Sequence, residues 1–161
     1  MEEKGTLYFL CGKMGAGKST MAKQMAAEQR AVLLSEDEWL STLYPNQIHT
    51  FEDYQKHARL LKPLIESHVQ QLLRLGMHVV MDFPANTKSS RSWFLQLSEH
   101  AGAKHRLIYL NRSDEQCLRQ IQKRRISEPE RAAFDTEEVF HHVTSFFEAP
   151  DDTEHLHIIE K

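Results

Sequence analysis

Residues 12–19 read Gly-Lys-Met-Gly-Ala-Gly-Lys-Ser, and this stretch decides the fold. It satisfies the spacing G-x-x-x-x-G-K-[ST] at every required position. A short apolar run, residues 6–11 (TLYFLC), precedes it. A segment from 19 to about 29 follows, with Met21, Met25 and Ala26 at helical spacing. A strand, a glycine-rich turn and a helix in that order form a phosphate cradle. The glycines let successive backbone N–H groups turn inward around phosphate oxygens, and the helix N-terminus adds partial positive charge there. The candidate phosphate-binding residues are Gly12, Lys13, Met14, Gly15, Ala16, Gly17, Lys18, Ser19 and Thr20. Lys18 supplies a full charge to the outer phosphates, and the Ser19 hydroxyl is placed to hold Mg²⁺.

The rest of the chain repeats the strand-then-helix pattern. Apolar runs at 31–34, 77–82, 106–110 and 156–159 read as four further strands. Capping signals open the helices between them: Ser35-x-x-Glu38, Thr50-x-x-Asp53, Ser113-x-x-Gln116 and Asp135-x-x-Glu138, the last leading a helix to about residue 147. Residues 88–100 read as a helix stopped near Gly102. A long periodic segment carrying Leu61, Leu64, Ile65, Val69, Leu72 and Leu73 ends at Gly76, and Pro63 is expected to kink or divide it. This alternation implies an α/β fold with a parallel sheet covered on both faces. Ligands of such sheets sit at the carboxyl ends of the strands. Residues 12–19, Asp37, Asp82 and Asn86 all follow predicted strands.

Asp82 ends the apolar run Val79-Val80-Met81, the arrangement of an acid that orients Mg²⁺ beside the phosphate loop. Asp37 lies after the second strand, in Ser35-Glu36-Asp37-Glu38-Trp39. A carboxylate there could orient an acceptor hydroxyl and take its proton. Three adjacent acids equally suit the first turn of a helix, and spacing alone does not separate the two readings. Between Arg119 and Arg131 stand Arg119, Lys123, Arg124, Arg125 and Arg131 against Glu128 and Glu130, a net charge of +3. An arginine from this stretch could stabilise charge on a transferring phosphoryl group. Ile126 to Phe134 could form a mobile lid, giving a lid at about 119–134.

Composition narrows the setting. A chain of 161 residues that is 40% hydrophobic and 27% charged fits one domain, 1–161, with a core large enough to fold without disulfides. Cys11 and Cys117 form neither a disulfide framework nor a metal-ligand spacing, and the acidic opening Met1-Glu2-Glu3 is no signal peptide. A reducing cytoplasm fits best, and no apolar run approaches the roughly 18 residues of a membrane helix. The ten histidines lack H-E-x-x-H spacing. With a net charge of −3 the whole-molecule field does not attract nucleic acid.

Together the stretches LYFLCGKMGAGKST, AVLLSEDEWL, VVMDFPANT with Arg91 behind it, the helix from Cys117 to Arg124, and FFEAP resemble the small P-loop kinases. That group includes zeta toxins, chloramphenicol phosphotransferase, gluconate kinase and phage polynucleotide kinase. The resemblance extends over nearly the whole chain. It implies a P-loop NTPase three-layer αβα sandwich with a five-stranded sheet in the order 2-3-1-4-5, and it implies ATP and Mg²⁺. By the same resemblance Asp37 acts as general base, and Asn86 and Arg91 shape the acceptor side. Related lids carry two arginines four residues apart. Here Gln120 takes the first place and Arg124 the second, which leaves Arg119 and Arg125 as possible substitutes. The function expected is ATP- and Mg-dependent transfer of a phosphoryl group to a hydroxyl of a small-molecule acceptor. Two alternatives stand beside it: an ATP-binding or ATP-hydrolysing switch or assembly protein, and a toxin-like polynucleotide or nucleotide-sugar kinase.

Overall fold

The computed structural model describes residues 2–161. Its centre is β1 (Thr6–Cys11), whose side chains are committed to both faces of the sheet. β3 (Val79–Pro84) flanks it on one side and β4 (Lys104–Tyr109) on the other. β2 (Val32–Ser35) and β5 (Ile158–Glu160) form the edges. The order is β2-β3-β1-β4-β5 and every pairing is parallel, as the resemblance implied. Parallel neighbours need crossovers, and helices supply them.

The helices divide between two faces. Leu7, Phe9 and Cys11 of β1 point to a core shared with α2 (Glu36–Leu43), α3 (Phe51–Arg74) and α4 (Lys88–Ala101). Leu10 points the other way. It packs with Ala22 and Met25 of α1 (Lys18–Gln29), Cys117 and Ile121 of α5 (Asp114–Ser127), and Phe140 of α6 (Glu137–Thr144). This is the three-layer αβα sandwich. The alternation follows from the two-residue period of a strand, and both faces read apolar because both are covered.

Two sequence expectations are corrected. α3 runs unbroken for 24 residues through Pro63. Pro63 and Arg59, whose carbonyl loses its helical partner, both lie on the exposed side. Leu61, Ile65, Val69 and Leu73, all buried, anchor both halves to the same sheet face. Tertiary burial outweighs the local break. The second correction concerns Asp135. It caps nothing: Thr136 is the N-cap of α6, accepting from the Val139 N–H, and Asp135 is fully buried elsewhere.

Arg91, expected on the acceptor side, is instead a structural residue with no exposed surface. Its Nε and Nη2 donate to Glu154 Oε1 and Oε2 at 2.7 and 3.1 Å, and its Nη1 donates to the Ala85 carbonyl at 3.0 Å. A guanidinium inside the core must be fully partnered, and this one ties the exit of β3 to the C-terminal segment through a short 3₁₀ turn, Asp152–Glu154. The spacing of the sequence carries no sign of a partner 63 residues away. Glu154→Ala would strand this buried charge. It should lower unfolding free energy by about 3–5 kcal/mol, read from urea denaturation with an unchanged m-value. A loss under about 1 kcal/mol, the scale of an exposed pair, would show that the ion pair does not anchor the segment.

Candidate active site

The carboxyl ends of β1, β2 and β3 open into one cleft of about 1660 Å³. Met14, Gly15, Gly17, Lys18, Ser19 and Thr20 line its floor, with Asp37, Asp82 and Asn86 beside them and Arg124 across from them. Most of the residues singled out in the sequence are thus brought together, while Gly12, Lys13, Ala16 and Arg91 do not line the cleft.

The floor has a shape only glycine permits. Gly15 and Gly17 adopt φ of +80° and +95°. A Cβ on Gly15 would lie 2.6 Å from the Cys117 carbonyl oxygen and 2.8 Å from Ile121 Cγ1, so the loop rests directly on α5. Asn86 braces its start: the Gly12 N–H donates to Asn86 Oδ1 at 3.0 Å. Lys13 turns away, its Nζ paired with Asp114 at 2.7 Å. Lys18 turns in, donating from Nζ to the carbonyls of Gly12 at 2.5 Å and Lys13 at 3.0 Å. Burial pushes its pKa down, while the carboxylate of Asp82 works against that shift.

Burial pushes the Asp82 pKa up, and the neighbouring Ser19 hydroxyl, which favours the charged carboxylate, works against that shift. The β-bulge between Phe9 and Leu10 falls where Asp82 and Phe83 leave the ladder with β1, while Asp82 still pairs with Ser35 of β2. One carboxylate and one hydroxyl suit Mg²⁺, which keeps several waters and takes further oxygens from phosphates. Among the described residues no cluster of three or more His, Cys, Asp or Glu side chains forms a cage of the kind other metals use.

The acid-rich turn resolves into distinct positions. Ser35 caps α2, accepting from the Glu38 N–H at 3.4 Å, and Asp37 and Glu38 are exposed to the cleft. Glu36 points inward and is only 5% exposed. The Tyr54 hydroxyl of α3 donates to Glu36 Oε1. The sequence reading missed this pair, because the two residues meet only when α3 packs over α2. Also unforeseen is the aromatic bridge across the cleft mouth. Phe51 at the start of α3 stacks on Phe146 beyond α6 at 6.2 Å, with His142 edge-on to both.

On α5, Arg119 and Arg125 are exposed and lie outside the cleft. Arg124 lies inside it, its Nε and Nη2 held by Asp135 at 2.8 and 2.6 Å. Arg131 also lines the cleft and donates from Nε to Asp135 Oδ2 at 3.2 Å.

Burial pushes the Glu36 pKa from 4.5 to about 7, against the Tyr54 hydrogen bond, which lowers it. A carboxyl raised in the folded state contributes stability below its unfolded pKa and loses it as pH rises through the folded value. That loss is on the order of 3 kcal/mol between pH 4.5 and 7. Glu36→Gln, neutral throughout, should match the wild type near pH 4.5 and exceed it by roughly 2–3 kcal/mol at pH 8. Urea midpoints at the two pH values check this, and parallel curves for the two proteins would refute it.

The chain's residues 7–150 match the model of the AAA_33 family, described as an AAA domain. No curated protein matches by sequence. Among solved structures, a protein provisionally termed a kinase from Chloroflexus aurantiacus superposes with a TM-score of 0.75 at 16% identity, covering 100% of this chain and 86% of its own. Kti12 of Chaetomium thermophilum, solved with ADP-AlF3, gives 0.68 at 18%, covering 96% and 88%. The APS kinase CysC of Mycobacterium tuberculosis, solved with AMPPNP and APS, gives 0.66 at 18%, covering 99% and 90%. At these identities the likeness is one of fold, a P-loop kinase-like fold. No helix of the described residues is long and apolar enough to cross a membrane. Over residues 7–150, which take in the phosphate loop, Asp82 and the cation-bearing α5, the chain belongs to the AAA_33 family of AAA domains.

Proposed function

We propose that the protein is an ATP- and Mg²⁺-dependent phosphotransferase that moves the γ-phosphoryl group to a hydroxyl of a small molecule. The observation that carries this reading is the convergence of Lys18, the Ser19–Asp82 pair, Asp37 and Arg124 on one cleft. A nucleotide-binding protein needs only Lys18, Ser19 and Asp82. An exposed carboxylate in the first turn of α2, lining the same cleft, suits an acceptor. That structures of the same fold contain AMPPNP with APS, or ADP-AlF3, supports the same reading. Within it the chain stands with the zeta-toxin and chloramphenicol phosphotransferase group.

Lys18 and the N–H groups of the phosphate loop would grip the β- and γ-phosphates. Ser19 and Asp82 would hold Mg²⁺, which when bound neutralises charge on the phosphate oxygens. Asp37 orients the acceptor hydroxyl and takes its proton. The acceptor oxygen then bonds to the γ-phosphorus as the bond to the β–γ bridging oxygen breaks, and ADP leaves with that electron pair. Arg124 faces the charge that spreads over the transferring group. The segment 119–134 acts as the lid over this site.

Two substitutions test the assignment. Lys18→Ala should abolish most of the thermal stabilisation that Mg-ATP confers while leaving the melting temperature of the free protein unchanged, since ligand stabilises only as far as it binds. A variant stabilised as fully as the wild type would remove the phosphate-loop assignment. For the acceptor step, a library of hydroxyl compounds is screened by ATP consumption, and transfer is read as the mass shift of the acceptor. Asp37→Asn should keep Mg-ATP affinity within a few fold and lower transfer by roughly 10²–10⁴. Glu38→Gln, on the same turn, should change neither. Survival of both functions in Asp37→Asn would favour an ATP-hydrolysing switch, which has no need of an acceptor base.

A further inference from the structure

Asp135 gathers two arginines, Arg124 and Arg131, at the wall of the cleft. We infer that Arg131 joins Arg124 as a phosphate-facing cation of this cleft, and that Asp135 is the positioning residue that holds the two arginines together. The inference rests on the phosphotransfer reading of the cleft and names residues within it.

Asp135 has no exposed surface, yet no sheet or helix ladder claims its side chain. Its Oδ1 accepts from Arg124 Nη2 at 2.6 Å, and its Oδ2 accepts from Arg124 Nε at 2.8 Å and from Arg131 Nε at 3.2 Å. One carboxylate thus serves two guanidiniums. The surplus positive charge belongs to groups that remain partly exposed, 30% for Arg124 and 37% for Arg131, and both line the cleft that contains Lys18. Glu128 also pairs with Arg131 Nε at 3.7 Å, an exposed contact that solvent weakens and that leaves both Arg131 Nη atoms unclaimed. Arg124 commits Nε and Nη2. Its Nη1 and both Nη atoms of Arg131 make no hydrogen bond among the described residues. These are the donors that reach an anion.

The backbone explains how a residue seven positions beyond Arg124 arrives at the same wall. The Glu128 N–H makes the last helical bond of α5, to the Arg124 carbonyl at 2.7 Å, and Glu128 then leaves the helical dihedrals. The 3₁₀ turn Pro129–Arg131 reverses the chain, and the Asp135 N–H returns to the Arg131 carbonyl at 2.8 Å. The carboxylate is thereby delivered beneath both arginines. Long arginine side chains lose much rotamer freedom when they clamp a ligand, and a buried partner removes that freedom in advance. Donors aimed beforehand at developing charge need no reorganisation at the moment of transfer.

The test needs no acceptor. Binding of Mg-ADP to the full chain is measured by calorimetry with and without aluminium fluoride, which completes a mimic of the transferring phosphoryl group. The wild type should bind more tightly with fluoride. Arg131→Ala and Asp135→Asn should each lose at least about tenfold of that tightening, while Mg-ADP alone stays within about threefold. The double variant should be no worse than the poorer single one, since the two act as one unit. Arg119→Ala and Arg125→Ala should keep the full tightening. The inference is overturned if Arg131→Ala retains the fluoride effect, or if Asp135→Asn weakens both complexes equally, as a merely structural residue would. Should Asp135→Asn fail to fold, Arg131→Ala and Arg131→Lys decide alone, the half-exposed side chain being dispensable to the core. Failure of the wild type to bind Mg-ADP at all would overturn the phosphotransfer reading itself, and with it this inference.

Discussion

The site depends on how closely the phosphate loop rests on α5. At Gly15 even a methyl group would collide with the Cys117 carbonyl. That contact joins the end of the central strand to the helix that carries Arg124. The cation wall and the phosphate floor are therefore parts of one packed unit. The other side of the loop is held by Asn86, whose side chain accepts the Gly12 N–H while its own carbonyl accepts the Glu148 N–H at 2.8 Å. A loop whose backbone donors must point inward cannot fold on its own neighbours, so its supports come from β3, α5 and the C-terminal segment.

Around this unit, each buried charge or acid has its own partner. Arg91 has Glu154, Asp135 has Arg124 and Arg131, and Glu36 has Tyr54. Arg91–Glu154 and Glu36–Tyr54 join segments 63 and 18 residues apart, while Asp135 gathers Arg124 and Arg131 from its own stretch of chain. Their shared consequence is rigidity. Breaking any one of them strands a polar group in a medium that cannot solvate it, so the alternatives to the observed arrangement are costly. The same low dielectric that raises the Glu36 pKa strengthens the field of Lys18 at the phosphate loop.

Much of this architecture was legible in the chain. The eight residues from Gly12 to Ser19 implied a loop between strand and helix, and the structure has it there. The capping signals at Thr50 and Ser113 opened the helices they promised, because a cap is a contact over three residues and needs nothing remote. Asp135-x-x-Glu138 carried the same local pattern and failed, since two arginines upstream compete for that carboxylate and burial favours them. Pro63 likewise read as a break and was overruled by four buried residues on one face of α3. Resemblance alone, and no spacing in the chain, places Arg91 on the acceptor side. Its partner, Glu154, lies in a segment whose sequence pattern says only loop.

The sequence by itself determined the periodicities, the phosphate loop and the strand-end acids, because these depend on residues one to a few places apart. The order of strands came from likeness to other chains rather than from such spacing. Only the tertiary structure decided which charges meet: that Arg91 is spent on Glu154, that Glu36 turns inward to Tyr54 while Asp37 faces the cleft, and that Arg131 joins Arg124 through Asp135. The physical reason is one of range. Backbone hydrogen bonding and side-chain periodicity act between neighbours, whereas the desolvation of a charge is set by whatever the folded chain brings around it.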